Sequence, residues 1–172
     1  MEQHEADQQT PQREKLWSLI KDMKFGMFTT HHENGHLHSR PMTTQNKKID
    51  EDDTLWFFMS RSSDPVADLV AAPEVNVAYA APDRDAYVSV SGRAAVVEDI
   101  DKKRHLWSAL SQAWYAGGPE DPDLALVAVA ITHAEYWDMK TNKAEQLFKI
   151  ARAALTGAPP TDLVEHGRVR MS

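Results

Sequence analysis

Apolar residues recur along the chain with two spacings, one typical of helices and one typical of strands. From Leu16 to Met23 they return every three or four residues, which predicts a helix that opens at Thr10-Pro11 and packs on a core. The same spacing over residues 101–114 and 143–155 predicts two further helices. Asp64 followed by Pro65 predicts the start of a short helix.

Alternating or continuous apolar stretches between these helices predict β-strands. The predicted strands are residues 26–30, 36–45, 54–60, 74–80, 86–98 and 124–139. Asn34-Gly35 is typical of a tight hairpin, so the first two strands should be antiparallel neighbours. Residues 161–172 are polar and predict a tail. The pattern indicates an α+β, mainly β fold whose antiparallel sheet closes into a small barrel, because closure removes exposed edges.

Length and composition indicate one folded unit. The chain has 172 residues, of which 42% are apolar and 26% charged, as in ordinary globular domains. The polar N-terminus predicts a flexible tail over residues 1–10, followed by a single domain over residues 11–172.

Charge and the length of apolar runs narrow the range of partners. The net charge of −7 argues against nucleic acid, whose phosphates attract basic surfaces. The longest apolar run, Leu124–Ile131, is far shorter than the ~20 residues of a membrane helix, so no membrane partner is expected. Without cysteine, disulfides and thiolate ligands are excluded, and together with the lack of a signal-peptide pattern this predicts a cytoplasmic protein.

Four histidines in one hairpin raise the question of a metal site. They are His31, His32, His36 and His38, and the last two would share one face of a strand. Three imidazoles could hold zinc. No cysteine and no H-E-x-x-H pattern accompanies them, and Glu33 falls in the turn itself. The sequence therefore favours a hairpin tip exposed to water, and no metal is predicted.

The sequence lacks the motifs of serine hydrolases, of dinucleotide-binding folds and of P-loop nucleotide-binding proteins. The chain has no G-x-S-x-G, no G-x-G-x-x-G and no P-loop pattern. The stretch "WYAGGPEDPD" from Trp114 joins an aromatic pair to a rigid turn, which suits either the wall of a flat-ring pocket or ordinary loop packing. No catalytic side chain is identified.

An ordered set of segments carries a resemblance to a known family. The set comprises "SRPM" at residues 39–42, "LWFFMSRSSDPVADL" at 55–69, "YVSVSGRA" at 87–94, "AWYAGGPEDPD" at 113–123 and "AEYWD" at 134–138. Together these segments resemble the general stress protein branch of the pyridoxamine 5'-phosphate oxidase-like FMN-binding split-barrel family, over residues 16–169. The resemblance implies a split antiparallel β-barrel with flanking helices, and a homodimer with FMN at the subunit interface.

The resemblance also assigns flavin contacts to positions of this chain. Segment 39–43 would run beside the isoalloxazine ring, with Arg40 reaching toward the phosphate, and segment 58–63 would supply ring-edge and phosphate contacts. Trp137 and Trp114 would approach the flavin from the other subunit. The implied cofactor-binding residues are Ser39, Arg40, Pro41, Met42, Thr43, Phe58, Met59, Ser60, Arg61, Ser62, Ser63, Trp114 and Trp137.

Three positions depart from the family pattern where the phosphate would bind. Met59 stands where threonine is common, Asp64 where a basic residue is frequent, and Pro65 where lysine is common. Removing one hydrogen-bond donor to a phosphate in a dry site costs on the order of 1–3 kcal/mol of binding free energy. These departures predict weakened FMN binding, with FAD as an alternative cofactor.

Three functions stay open at this stage. The first is an FMN-dependent oxidoreductase, because a flavin itself carries hydride chemistry. The second is a non-catalytic flavin or small-molecule binder of a stress response, and the third is a dimer that has lost its ligand. True pyridoxamine 5'-phosphate oxidase activity is not expected, because the basic residues needed to hold two phosphates are scarce.

Overall fold

An antiparallel sheet forms the centre of the protein. The structure, a computed structural model, describes residues 2–47, 53–139, 143–157 and 164–171. The strands are β1 (Phe25–His31), β2 (Leu37–Thr43), β3 (Thr54–Ser60), β4 (Glu74–Ala81), β5 (Ala86–Val97), β6 (Leu124–Met139) and β7 (Val164–Arg170). The α-helices are α1 (Glu2–Met23), α2 (Asp64–Ala71), α3 (Ile100–Leu106), α4 (Ala109–Trp114) and α5 (Lys143–Thr156), and a 3-10 turn covers Pro82–Arg84.

The long strand β6 organises one side of the sheet. The strand order is β2-β1-β4-β5-β6-β3, and β7 pairs with β6 beside this path. β5 runs along one edge of β6, and the opposite edge of β6 is divided between two other strands. Residues 124–130 pair with β3 there, and residues 133–139 pair with β7. The two ends of the main path are therefore β2 and β3.

These two end strands are joined at one end of the barrel. Beyond β2, the Gln45 N–H donates to the Trp56 carbonyl at 2.8 Å. The Asn46 side chain donates to the Thr54 carbonyl and accepts from the Trp56 N–H, both at 2.8 Å. Within the described ranges no ladder joins β2 to β3, so the barrel is open along residues 39–43. The predicted split antiparallel β-barrel with flanking helices is confirmed.

The inner face of the sheet packs against α1 and forms the main core. Phe28, Val77 and Val90 lie in register on β1, β4 and β5, and each is 0% exposed. Leu16 and Ile20 of α1 belong to the same core. Full burial of a side chain of this size contributes about 1.5–3 kcal/mol, so the apolar stripe of α1 holds the helix on the sheet.

Strand β3 is buried on both faces. Leu55, Phe57 and Met59 point into the main core. Trp56 and Phe58 point the other way, into a second apolar cluster with residues of α3 and β6. Burial on both faces explains why the sequence of β3 is a continuous apolar run and not an alternating one.

Gly92 marks a bulge in β5. The pairing of β5 with β6 shifts register between Ser91 and Gly92. A Cβ atom at Gly92 would collide with the carbonyl oxygen of Ala130, so the close strand approach requires glycine.

Two helix predictions differ from the structure. The first helix begins at Glu2 and carries Pro11 inside it, so the predicted start at Thr10-Pro11 is wrong. The acidic and amide residues that precede Thr10 are good helix formers and extend the helix. The flexibility predicted for residues 1–10 stays a prediction.

The single helix predicted over residues 101–114 is also wrong, because the chain leaves the helix at Trp107. That residue is extended, with φ −60° and ψ 138°. Ser108 then caps α4, its hydroxyl accepting from the Ser111 N–H at 3.2 Å. A new N-cap inside an apolar pattern starts a second helix.

The tail predicted over residues 161–172 contains a strand. β7 pairs with β6 from His133 to Met139 and buries Val169, which is 1% exposed. Its few apolar residues hid the strand signal, and the free edge of β6 supplies the backbone partners that the sequence does not reveal.

The apolar residues of α5 stay exposed. Leu147, Phe148, Ile150 and Leu155 each keep between 55% and 89% of their accessible surface. None of the described helices is long and apolar enough to cross a membrane.

Candidate functional site at the split of the barrel

The two segments implied as flavin contacts face each other across the split. The hydrogen bond between Gln45 and Trp56 sets an antiparallel register. Continuing that register places segment 39–43 opposite segment 58–63. The fold therefore brings together two stretches that are about 20 residues apart in the chain.

Side chains of segment 39–43 alternate between the two faces of the sheet. Arg40 pairs with Phe28 and lies on the inner face, as does Met42, which packs against the main core. Ser39 lies on the outer face, where its hydroxyl contacts that of Thr29 at 2.7 Å. The outer face also carries Pro41 and Thr43.

Arg40 is engaged with helix α2. Its Nη1 donates to the Thr30 hydroxyl at 3.0 Å, and that hydroxyl donates to Oδ2 of Asp68 at 2.8 Å. Arg40 Nη2 lies 3.8 Å from the same carboxylate oxygen. The guanidinium thus ties β2 to α2 through Thr30 and Asp68, and the phosphate contact implied for Arg40 stays a prediction.

Asp68 is a buried carboxylate with a complete set of partners. It is 5% exposed, and burial alone would raise its pKa. Hydrogen bonds from Thr30 and His32, and the electrostatic interactions with His32 and Arg40, outweigh burial and hold the pKa of Asp68 below its ordinary value. The side chain is therefore an anion at neutral pH.

Two hairpin histidines join this group. His32 Nδ1 lies 2.9 Å from Oδ1 of Asp68, and the His32 and His38 rings stack with centroids 4.4 Å apart and planes 14° apart. The hairpin at Asn34-Gly35 forms as predicted. The prediction that the hairpin histidines are exposed to water is wrong for His32 and His38, whose side chains are half-buried. We call Thr30, His32, His38, Arg40 and Asp68 the Asp68 cluster.

A second carboxylate, that of Asp123, binds to the loop that follows β3. Asp123 Oδ2 accepts from the Ser60 hydroxyl at 2.5 Å, and Oδ1 accepts from the Ser62 N–H at 3.1 Å. The Asp123 backbone carbonyl accepts from the Arg61 N–H at 2.6 Å. We call residues 60–63 with Asp123 the Asp123 loop. Its hydroxyl and N–H donors surround a negative group, as in an anion-binding site.

The donors of the Asp123 loop stabilise the anionic form of Asp123 itself. The hydrogen bond from Ser60, those from Ser62, and the nearby charge of Arg61 hold the pKa of Asp123 below its usual range. Arg61 itself pairs with Glu98, Nη1 to Oε1 at 2.8 Å. Because Asp123 is exposed, this carboxylate can leave its donors without being stranded in an apolar interior.

Helix α2 begins directly after the Asp123 loop. It starts at Asp64 with Pro65 in its first turn, as predicted. The Ser63 hydroxyl donates to the Ser60 carbonyl at 2.6 Å and does not cap the helix. The exposed Asp64 carboxylate satisfies the positive helix end, so this terminus is less attractive to an external anion.

The side chains of Phe58 and Met59 are turned away from the split. Met59 is 1% exposed in the main core, and Phe58 is 3% exposed in the second cluster. Trp107 and Tyr115 cover the Phe58 ring at centroid distances of 5.5 Å and 6.5 Å. The Tyr115 hydroxyl also donates to the Phe58 carbonyl at 2.9 Å. Phe58 and Met59 can therefore offer a ligand only their backbone groups.

Trp137 and Trp114 lie on different surfaces. Trp137 is on the outer face of the sheet, opposite Tyr87, and stacks on His166 with centroids 5.2 Å apart. Trp114 ends α4 and is 74% exposed. The contacts implied for both residues with a second subunit stay predictions.

A cavity of about 930 Å³ opens beside the end of β2. Its wall includes segment 43–47 and apolar side chains of α1, α3 and α4, namely Trp17, Ile20, Leu106 and Leu110. The charged side chains lining it are Lys21, Lys24, Lys47 and Glu14. A largely apolar cavity of this size with an excess of positive charge suits a small anionic organic molecule.

Sequence reasoning missed the two carboxylates that organise the site. Asp68 carried a usable signal, because it lies beside Leu69 on the buried face of a short amphipathic helix. Asp123 lay inside the segment "AWYAGGPEDPD" that supported the resemblance, but its partners Ser60 and Ser62 are distant in sequence.

Comparison with known protein families identifies the family of this chain. The family model described as "Pyridoxamine 5'-phosphate oxidase like" matches residues 11–161. The chain belongs to this family. The match covers most of the sheet, both edge segments of the split, the Asp68 cluster and the Asp123 loop.

Relatives place the chain in the general stress branch of the pyridoxamine 5'-phosphate oxidase-like family. Protein bli-3 of Neurospora crassa is 30% identical over 158 residues, covering 85% of this chain and 74% of that protein. The general stress FMN/FAD binding protein of Xanthomonas citri is 31% identical, with a TM-score of 0.65 and coverage of 77% and 92% of the two chains.

A third structure supports the fold alone. A candidate general stress protein 26 from Jannaschia sp. CCS1 superposes with a TM-score of 0.73 at 24% identity, covering 92% of this chain and 98% of that one.

Proposed function

We propose that this protein binds FMN in the split of the barrel and uses it as an oxidoreductase. The observation that carries the proposal is the arrangement of segments 39–43 and 58–63, which face each other across an opening that has donors for an anion at one side. The Xanthomonas citri relative is an FMN/FAD binding protein. FMN is favoured over FAD because a single terminal phosphate suits the small Asp123 loop.

In this proposal the phosphate takes the place of the Asp123 carboxylate. The Ser60 hydroxyl and the Ser62 N–H would then donate to phosphate oxygens, and Arg61 would supply positive charge. Phosphate must compete with Asp123 and with Glu98 for these groups, so FMN binding is weaker than in a site with free donors. Backbone groups of segment 39–43 would lie along the ring.

The flavin supplies the redox chemistry, and the residues of the chain bind and orient it. The cavity beside Thr43 supports an organic reactant near the ring, because it is mostly apolar and carries three lysines. A non-catalytic flavin binder is the second candidate, favoured by the absence of an obvious acid or base in segments 39–43 and 58–63.

A comparison of FMN with riboflavin tests whether the protein binds the phosphate of the flavin. FMN and riboflavin differ by the phosphate alone, so the protein should quench FMN fluorescence with at least ~10-fold tighter affinity than riboflavin. Arg61→Ala should weaken FMN binding and leave riboflavin binding unchanged. Arg93→Ala is the matched control, because Arg93 also forms an exposed ion pair, with Glu74 on another part of the sheet. No binding of either flavin would refute the proposal.

Activity separates the two candidate functions. An oxidoreductase should oxidise NADH or NADPH in the presence of FMN faster than the same concentration of free FMN. A rate equal to that of free flavin, with FMN bound, would support the non-catalytic binder.

We further propose that the protein is a cytoplasmic homodimer with the outer face of the sheet near the interface. The outer face exposes apolar side chains of β1 and β5, namely Phe25, Met27 and Tyr87. Trp137→Ala should lower both the dimer fraction in light scattering and the FMN affinity. A monomeric wild type with full FMN affinity would contradict this part of the proposal.

A further inference from the structure

The Asp68 cluster contains three metal-ligating side chains from two separate parts of the chain. His32 follows β1, His38 lies on β2, and Asp68 lies on α2. One imidazole nitrogen from each histidine and one carboxylate oxygen of Asp68 all lie within 4.8 Å of one another. We propose that His32, His38 and Asp68 bind a divalent transition-metal ion such as zinc.

The donor set suits a first-row metal that favours imidazole. Two neutral imidazoles and one carboxylate are ligands typical of Zn²⁺ and Fe²⁺ sites, and hard ions such as Mg²⁺ prefer all-oxygen sets. Three protein ligands leave a coordination position for water. The half-buried histidines keep that position reachable from solvent.

Asp68 is already oriented for this role. Its Oδ2 is held by the Thr30 hydroxyl at 2.8 Å and faces Arg40, while Oδ1 faces His32 Nδ1 at 2.9 Å. One oxygen is thus fixed by the protein and the other points to the histidines, which is how carboxylate ligands are commonly positioned. A metal would replace the direct contact between His32 Nδ1 and Asp68 Oδ1.

Metal binding requires a small change in the hairpin. Ligand atoms around tetrahedral zinc are about 3.4 Å apart for bonds of about 2.0–2.2 Å. The three ligand atoms of the cluster lie within 4.8 Å of one another, and His32 Nδ1 is 2.9 Å from Asp68 Oδ1, so small side-chain movements bring them to coordinating distances. The stacked rings also run nearly parallel, 14° apart, and one of them must turn to aim its lone pair at the ion. His38 is free to do so because it lies half-buried beside the hairpin turn.

Zinc titration of the purified, tag-free chain tests the proposal. With a chromophoric chelator as competitor, ZnCl₂ should bind at one equivalent per chain. His38→Ala should weaken this binding at least 10-fold. His31→Ala is the matched control: His31 belongs to the same hairpin but is exposed on the opposite strand face, and its removal should leave the affinity unchanged.

A second readout keeps the test independent of folding defects. Zinc should raise the melting temperature of the wild type and of His31→Ala, but not that of His38→Ala, whose far-UV circular dichroism should match the wild type. Binding below half an equivalent, or an equal loss of affinity in His31→Ala and His38→Ala, would overturn the site and indicate adventitious binding by surface histidines.

Discussion

Two carboxylates flank the split, with similar partners and opposite surroundings. Asp68 accepts from a threonine hydroxyl and contacts a half-buried histidine and a half-buried arginine, and is itself 5% exposed. Asp123 accepts from a serine hydroxyl and a backbone N–H near an arginine, and is exposed. In both, the pKa is held below its ordinary value.

The difference in burial gives the two carboxylates different roles. Removing Asp68 would leave the Arg40 and His32 side chains without their charge partner in a partly buried place, which is costly. Removing Asp123 would leave donors that water can satisfy, because the Asp123 loop lies at the surface. The Asp68 cluster therefore stabilises the fold, whereas in the proposed FMN site the Asp123 carboxylate would give way to the phosphate.

The largest effect is expected from Asp68→Ala. Breaking a buried ion pair from one side should lower the free energy of unfolding by about 3 kcal/mol, measured by urea denaturation. Asp64→Ala is the control, because Asp64 lies in the first turn of the same helix and is exposed. A loss as small as that of Asp64→Ala would show that the Asp68 cluster contributes little to stability.

The contribution of Asp68 should disappear in acid. Its folded pKa lies below 3.8, so the stability it provides is present above that pH and is lost as the pH falls through the lower, folded value. In denaturation series at falling pH, the stability gap between wild type and Asp68→Asn should shrink steadily between about pH 5 and pH 2. A gap independent of pH in this window would contradict the assignment.

Asp123→Asn should strengthen FMN binding, if phosphate and this carboxylate compete for Ser60 and Ser62. We expect an affinity increase of about 5-fold in fluorescence titrations. Asp83→Asn removes an exposed charge from the turn between β4 and β5 and controls for the change in net charge. Weaker FMN binding in Asp123→Asn would mean that Asp123 orders the loop for the ligand and does not compete with it.

The smallest effect is expected at Trp114, which ends α4 and is 74% exposed. Trp114→Ala should change the free energy of unfolding of the isolated chain by less than about 0.5 kcal/mol. The measurement is urea denaturation at the lowest workable protein concentration. A larger decrease there would mean that the indole packs on its own chain, and its implied approach to a second subunit would lose its basis.

Much of the fold follows from local patterns in the sequence. Asn34-Gly35 placed the first hairpin and Asp64-Pro65 placed the start of α2, because each depends on the backbone preferences of neighbouring residues. The strand segments followed from alternation and apolar runs. The ordered segments "SRPM" to "AEYWD" were sufficient to indicate the family.

The tertiary structure alone decided how these elements are used. Whether residues 164–170 form a strand depends on the free edge of β6, and the partners of Asp68 lie 28–38 positions away in the chain, those of Asp123 more than 60. Burial and hydrogen bonding between distant residues set the charge state of both carboxylates and joined two hairpin histidines to α2. Local propensity carries no information about such contacts, because they form only when elements that are distant in the chain pack together.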